Sequence, residues 1–278
     1  MSDGGRGVST PKHRKVRRLA AFVVAGTLLV SGLAVVLTRA RHSSVKPLCT
    51  ATAASPSYRL DPSQATNAAT ITAVGKRAGL PDHAVTIALA AALQESQLRN
   101  LDHGDRDSVG LFQQRPSQGW GTPSQLINPR YAASAFYRGL SGVPGWMTMS
   151  VTDAAQRVQH SGAPDAYALW EPEARALARV LTGEVPAGLV CHFDVPAGVT
   201  ATIPLGTAVA SELGSPALDS ASLTPARGWT VASWLVAHAY AYRITAVGFA
   251  GRLWTPASGT WKYGSAATQG QVYVRRAA

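Results

Sequence analysis

Cysteine is scarce: the 278 residues hold two, Cys49 and Cys191. Neither has a second cysteine or a histidine at the close spacing of a zinc finger or ribbon, so thiolate zinc ligation has no support. What remains is a single bridge or two free buried thiols. In an oxidising compartment the pair is expected to form a disulfide. Closing so long a loop stabilises by roughly 4–5 kcal/mol in the chain-entropy model. Carboxylates are also few, 15 Asp and Glu against 26 Lys and Arg, for a formal charge of +11. Such a surplus invites a nucleic-acid reading, but its location argues against one. Residues 1–46 hold nine Lys and Arg against Asp3 alone, which is +8 of the +11. The remainder carries only +3, so no nucleic-acid partner is expected. The chain has no internal repeat and only one long apolar run, which excludes a transporter with many spans.

That run is residues 19–38, twenty positions without a charge. As a helix it would span about 30 Å, the thickness of a bilayer core. Six Lys and Arg precede it and three follow. The positive-inside rule then predicts a single-pass protein of the cell membrane, its N-terminus cytoplasmic and its domains outside. A cleaved signal peptide is the rival reading, but the run is long for a signal core and the residues after it make a poor cleavage site.

The expected organisation follows from composition and helix punctuation. Residues 1–18 form a basic cytoplasmic tail, 19–38 the transmembrane helix and 39–60 a linker rich in Ser and Pro. Asp61-Pro62 and Asn128-Pro129 are cap-and-proline helix starts, Thr152 is a candidate cap, and Gly79 and Gly183 are stops. The segment 84–95 is apolar nearly all round and predicts a buried central helix. Residues 61–185 therefore read as a mostly helical domain interrupted by an irregular loop over 97–127, and long loops in compact domains are often functional. Residues 186–225 are an irregular linker with a short helix at 205–213. Residues 226–278 combine a helix over 229–242 with short strands and predict a small α+β module.

The chemistry concentrates where the apolar helix meets the loop. Gln94-Glu95-Ser96 ends the helix, and Gly104-Asp-Arg-Asp-Ser108-Val-Gly110-Leu-Phe-Gln113 follows. A carboxyl at the end of a greasy helix is poorly hydrated, and the helix dipole disfavours negative charge there. Both effects raise its pKa and suit it to donate a proton, which cleavage of a glycosidic bond requires. Glu95 is the candidate acid, with Ser96 placed to orient it. Ser108, Gly110 and Gln113 are candidates to meet the sugar, Gly110 because glycine permits close backbone approach. Trp120, Tyr137, Tyr167 and Trp170 are of the type that stacks on sugar rings, or as often fills a core. A hydrolase would need a second carboxylate to hold water, and Asp102, Asp105 and Asp107 are available in the loop. Loop aspartates are usually turn-formers.

Gln-Glu-Ser followed by Gly-Leu-Phe-Gln is similar to the Glu-Ser…Gly-Leu-Met-Gln signature of soluble-lytic-transglycosylase-type and goose-type lysozyme domains, over about residues 62–182. The resemblance implies a lysozyme-like helical fold, peptidoglycan glycan strands as substrate and Glu95 as catalytic acid. Gly104-Asp105-Arg106 resembles the Gly-Asp-Arg of goose-type lysozymes and implies that Asp105 would assist water. The second aspartate of those enzymes is absent, with Gln114-Arg115 in its place. The transglycosylase Tyr-Asn-Ala-Gly is altered to Gln159-His160-Ser161-Gly162, so Gln159 stands at the sugar-binding position and Tyr167 is a candidate substitute. The last fifty residues resemble, more faintly, a domain of actinobacterial wall proteins related to zinc D-Ala-D-Ala peptidases. The His-Val-His strand of the metal-bearing relatives is Gln271-Val-Tyr-Val here. His238, the one histidine of the module, reads as a near-surface helix residue.

The expected protein is therefore a mainly α lysozyme-like domain, preceded by one transmembrane helix and followed by a small α+β module without metal or cofactor. It is expected to be membrane-anchored and to cleave peptidoglycan as a lytic transglycosylase. The alternatives are a hydrolytic lysozyme using Asp105 and an inactive wall-binding scaffold. The sequence names no protein partner.

Overall fold

The computed structural model describes residues 45–198, 201–214, 218, 222–264 and 270–278. The basic tail and the apolar run 19–38 lie outside the described residues. Among those described, no helix is long and apolar enough to cross a membrane.

Helix α1, Pro62–Arg77, starts at a reciprocal cap. Asp61 accepts from the Gln64 backbone N–H while the Gln64 side chain accepts from the Asp61 N–H. Helix α2, Asp82–Ser96, is buried at every position from Ala84 to Leu93. Its alanines favour the helix and are small enough for neighbours to close in on all sides. Helix α3, Pro129–Ser141, is capped by Asn128. Helix α4, Val151–Gln159, is capped by Ser150, two residues before the expected Thr152. Helix α5, Glu171–Leu181, takes Pro172 in its first turn, where the missing N–H costs nothing. Helices α1, α3, α4 and α5 pack around α2.

The expectation of a mainly α domain followed by a separate small α+β module is overturned by two antiparallel sheets that belong to one unit with the helices, while the expected transmembrane helix lies outside the described residues. Strands β1 (Leu48–Ala51), β2 (Tyr58–Leu60) and β3 (Leu189–His192) form the first, in the order β2-β1-β3. β1 and β2 fall in the expected linker 39–60, and β3 in the expected linker 186–225. Strands this short carry too few alternations for a period-2 signal, and the partner of β1 is far away in sequence, so no local pattern reports the pairing. Cys49 stands opposite Cys191 in this ladder, and the two are disulfide-bonded.

After helix α6, Leu205–Leu213, and helix α7, Pro225–Ala237, the second sheet forms from β4 (Ile244–Phe249), β5 (Arg252–Thr255), β6 (Thr260–Tyr263) and β7 (Tyr273–Arg276), in the order β6-β5-β4-β7. Val45–Ala278 form one unit with a continuous apolar core. Polar ties across it also link α7 to the helices. Thr66 Oγ1 donates to the Ala237 carbonyl at 3.0 Å, and Thr230 Oγ1 to that of Thr182 at 2.7 Å. His238, expected near the surface, is only 4% exposed, because α7 is covered by α1 on one side and the second sheet on another.

Candidate active site

Glu95 sits in the last turn of α2, where Gln97 and Leu98 leave the helix through left-handed conformations (φ 53° and 60°). The buried barrel of α2 brings its end close to the loop that follows. Ser96 is buried and its Oγ donates to the Leu111 carbonyl at 2.7 Å and the Ala92 carbonyl at 3.1 Å. The expected orienting serine therefore pins the 109–114 turn to the helix end rather than facing a ligand.

The turn itself closes through paired bonds between Val109 and Gln114, each N–H donating to the other's carbonyl at 3.1 Å. Gly110 is required on two counts: its φ is +80°, and an added Cβ would lie 2.4 Å from the Leu126 carbonyl oxygen. The close backbone approach foreseen for Gly110 is thus made to Leu126. Gln113 turns its amide inward, with Nε2 donating to the carbonyls of Gly110 (3.1 Å) and His103 (3.3 Å). Ser108 is buried, and its backbone N–H donates to the Asp105 carbonyl at 3.0 Å.

Two residues from beyond the loop complete the surroundings of Glu95. Tyr167, fully buried in the 3₁₀ segment Pro164–Trp170, donates from its hydroxyl to Glu95 Oε1 at 2.7 Å. Gln159, at the end of α4, donates to the Phe112 carbonyl at 2.8 Å, and its amide lies near enough to the Glu95 carboxyl to favour the charged form. The α4 end, the 109–114 turn and the α2 end thus meet at one carboxyl group. Burial raises the Glu95 pKa, and the Tyr167 hydroxyl and the Gln159 amide pull it the other way without cancelling that rise. Burial and the adjacent Glu95 keep the Tyr167 phenol protonated, so it remains a donor. Among the described residues no lysine, arginine or histidine forms an ion pair with Glu95. The site is therefore a half-buried carboxyl with one oxygen fixed by Tyr167, able to keep its proton at a higher pH than an ordinary carboxylate.

The loop aspartates divide. The Asp105 side chain is 93% exposed and, among the described residues, has Arg106 as its one ion-pair partner, at 3.9 Å. Asp102 accepts from His103 Nδ1 at 2.7 Å on the open surface. Asp107 is the structural one. It accepts from Arg115 Nε (2.8 Å), the Ser117 backbone N–H (2.8 Å) and Ser117 Oγ (3.0 Å), and these bonds hold its carboxyl well below the usual range. This clamp across the turn was not foreseen, and nothing in the spacing of Asp107 and Arg115 advertises it. A second unforeseen contact is Trp170 Nε1 donating to Gln94 Oε1 at 2.7 Å, which secures the 3₁₀ segment beside Glu95. Of the other aromatic candidates, Tyr137 is a core residue whose hydroxyl donates to the Ile71 carbonyl, and Trp120 packs against α3 at Gly139.

Among the described residues no three His, Cys, Asp or Glu side chains converge as a metal site. Two hollows, of about 860 and 630 Å³, lie elsewhere and are lined by neither Glu95 nor its partners. No protein-family model matches this chain, and no curated protein matches it.

Proposed function

We propose that this protein cleaves the glycan strands of peptidoglycan by the non-hydrolytic route, with Glu95 as general acid and then base. Glu95 donates its proton to the glycosidic oxygen as the bond to the anomeric carbon breaks. The resulting carboxylate then takes the proton of the sugar's own C6 hydroxyl as that oxygen closes on the anomeric carbon, leaving an anhydro end. The observation that carries this reading is the carboxyl of Glu95: half-buried, raised in pKa, without an ion pair among the described residues and oriented by Tyr167. The exposure of Asp105 favours this route over hydrolysis, which needs a second carboxylate to hold water. The disulfide suits an oxidising, extracytoplasmic compartment, where the substrate lies.

A second reading is a wall-binding protein without turnover. One observation favours it: Ser96, Gln113 and Gln159 direct their donors to backbone carbonyls of the protein itself. Incubation with purified peptidoglycan and analysis of the soluble products separates the readings. Anhydro ends support the proposal and reducing ends favour the Asp105 hydrolase. Binding without soluble products favours the scaffold.

A further inference from the structure

A cavity of about 630 Å³ opens among α1, the start of α3, the end of α6 and the short helix Ala239–Tyr242 that follows α7. Arg130, Glu212, His238 and Tyr242 line it. Glu212 is 7% exposed and its Oε2 accepts from Thr70 Oγ1 (3.0 Å) and Trp234 Nε1 (2.7 Å), both neutral donors. Among the described residues Glu212 has no ion pair, and its Oε1 has no hydrogen-bond donor. A buried carboxylate without a countercharge is unfavourable until a positive group reaches it.

His238 stacks on Trp234, with ring centroids 3.7 Å apart, and its Nδ1 donates to the Trp234 carbonyl at 2.8 Å. That bond fixes the tautomer and leaves Nε2 as an acceptor, with no partner among the described residues. Burial keeps the ring neutral by lowering its pKa, against a smaller opposing pull from Glu212. Arg130 lines the same cavity and pairs with no carboxylate among the described residues, Glu212 included. Two opposite charges therefore border one hollow without neutralising each other. Beside them, a second hollow of about 490 Å³, bordered by Pro47, Pro62 and Tyr240, shares Thr66, Asn67 and Ala241 with the first. Together they have room for more than one residue of a peptide.

We propose that this cavity binds the zwitterionic end groups of an amino acid or short peptide. The ammonium sits at Glu212 Oε1 and His238 Nε2, which can only accept, and the carboxylate sits at Arg130, which can only donate. The adjoining hollow takes the apolar remainder. This site does not depend on the glycan-cleavage reading.

Calorimetric titration of the full chain with alanyl-alanine, in L,L and D,D forms, tests it. Saturable binding by either form with a Kd of about 1 mM or tighter is expected. N-acetylation or C-terminal amidation of the bound form is expected to weaken it at least about tenfold. Glu212→Gln, which keeps an oxygen for Thr70 and Trp234, should weaken the parent dipeptide and abolish the penalty of N-acetylation. Arg130→Gln should abolish the penalty of amidation. Because Arg130 is half-exposed and outside the core, this variant folds independently of the outcome with Glu212. Absence of saturable binding by both dipeptides overturns the proposal, as does a penalty of amidation that persists unchanged in Arg130→Gln.

Discussion

The Glu95 carboxyl experiences two opposed influences, and their balance makes predictions. Burial favours the protonated form, while the hydroxyl of Tyr167 and the amide of Gln159 favour the charged one. Glu95→Gln keeps the shape and removes the transferable proton. The proposed glycan cleavage is expected to fall by roughly 10²–10⁴, the usual contribution of a general acid, with the far-ultraviolet spectrum unchanged. Tyr167→Phe removes a bond that stabilises the carboxylate, so the Glu95 pKa rises further. The alkaline limb of the pH–rate profile should then move to higher pH; an unmoved or acid-shifted limb would deny Tyr167 that influence. The stability linkage has a definite sign. A carboxyl raised in the folded state contributes stability that is complete below its unfolded pKa and lost as pH rises through the folded one. Wild type should therefore lose stability relative to Glu95→Gln over that rise, as read by urea denaturation at a series of pH values.

At the scale of elements, the site is a junction of three chain segments held by side-chain-to-backbone bonds. Ser96 ties α2 to the turn, Gln159 ties α4 to it, and Asp107 clamps it to Arg115 and Ser117. Ser96→Ala leaves the buried Leu111 carbonyl short of a donor. It should cost about 1–2 kcal/mol in the denaturation midpoint and lower activity, although no ligand contact is lost. Asp107 titrates with the opposite sign to Glu95: its contribution is present above the unfolded carboxylate pKa and lost as pH falls through its depressed folded value. The helix ending at Glu95 was legible because an alanine-rich apolar run with a carboxyl at its end carries a local signal. The inward turning of Gln113 and the closure of Gly110 by Leu126 were not, since the groups they meet are set by the path of the backbone. For the same reason Tyr167 could be named as a candidate without its bond to Glu95 being visible.

Across the whole molecule, the first sheet is where the sequence was least informative and where the fold is most tightly bound to one covalent link. β1 and β3 are four residues each, and their pairing joins the two ends of the helical region. Two antiparallel strands so short hold few ladder bonds and would be marginal alone. The disulfide across them spans 142 positions of sequence, so its removal restores a large loop-closure entropy to the unfolded chain. The chain-entropy model puts that effect at roughly 5 kcal/mol, comparable with the entire stability of a modest domain. Substituting alanine for both Cys49 and Cys191 removes this constraint without leaving a lone thiol. The variant should lose about 2–5 kcal/mol in urea denaturation, as does reduction of the wild type. Because Glu95 lies among helices between the two strands in sequence, the proposed peptidoglycan cleavage should survive at low temperature and vanish over the same range as the near-ultraviolet signal of the core tryptophans. Loss of activity well below that melting range would instead show that the sheet positions Glu95 directly.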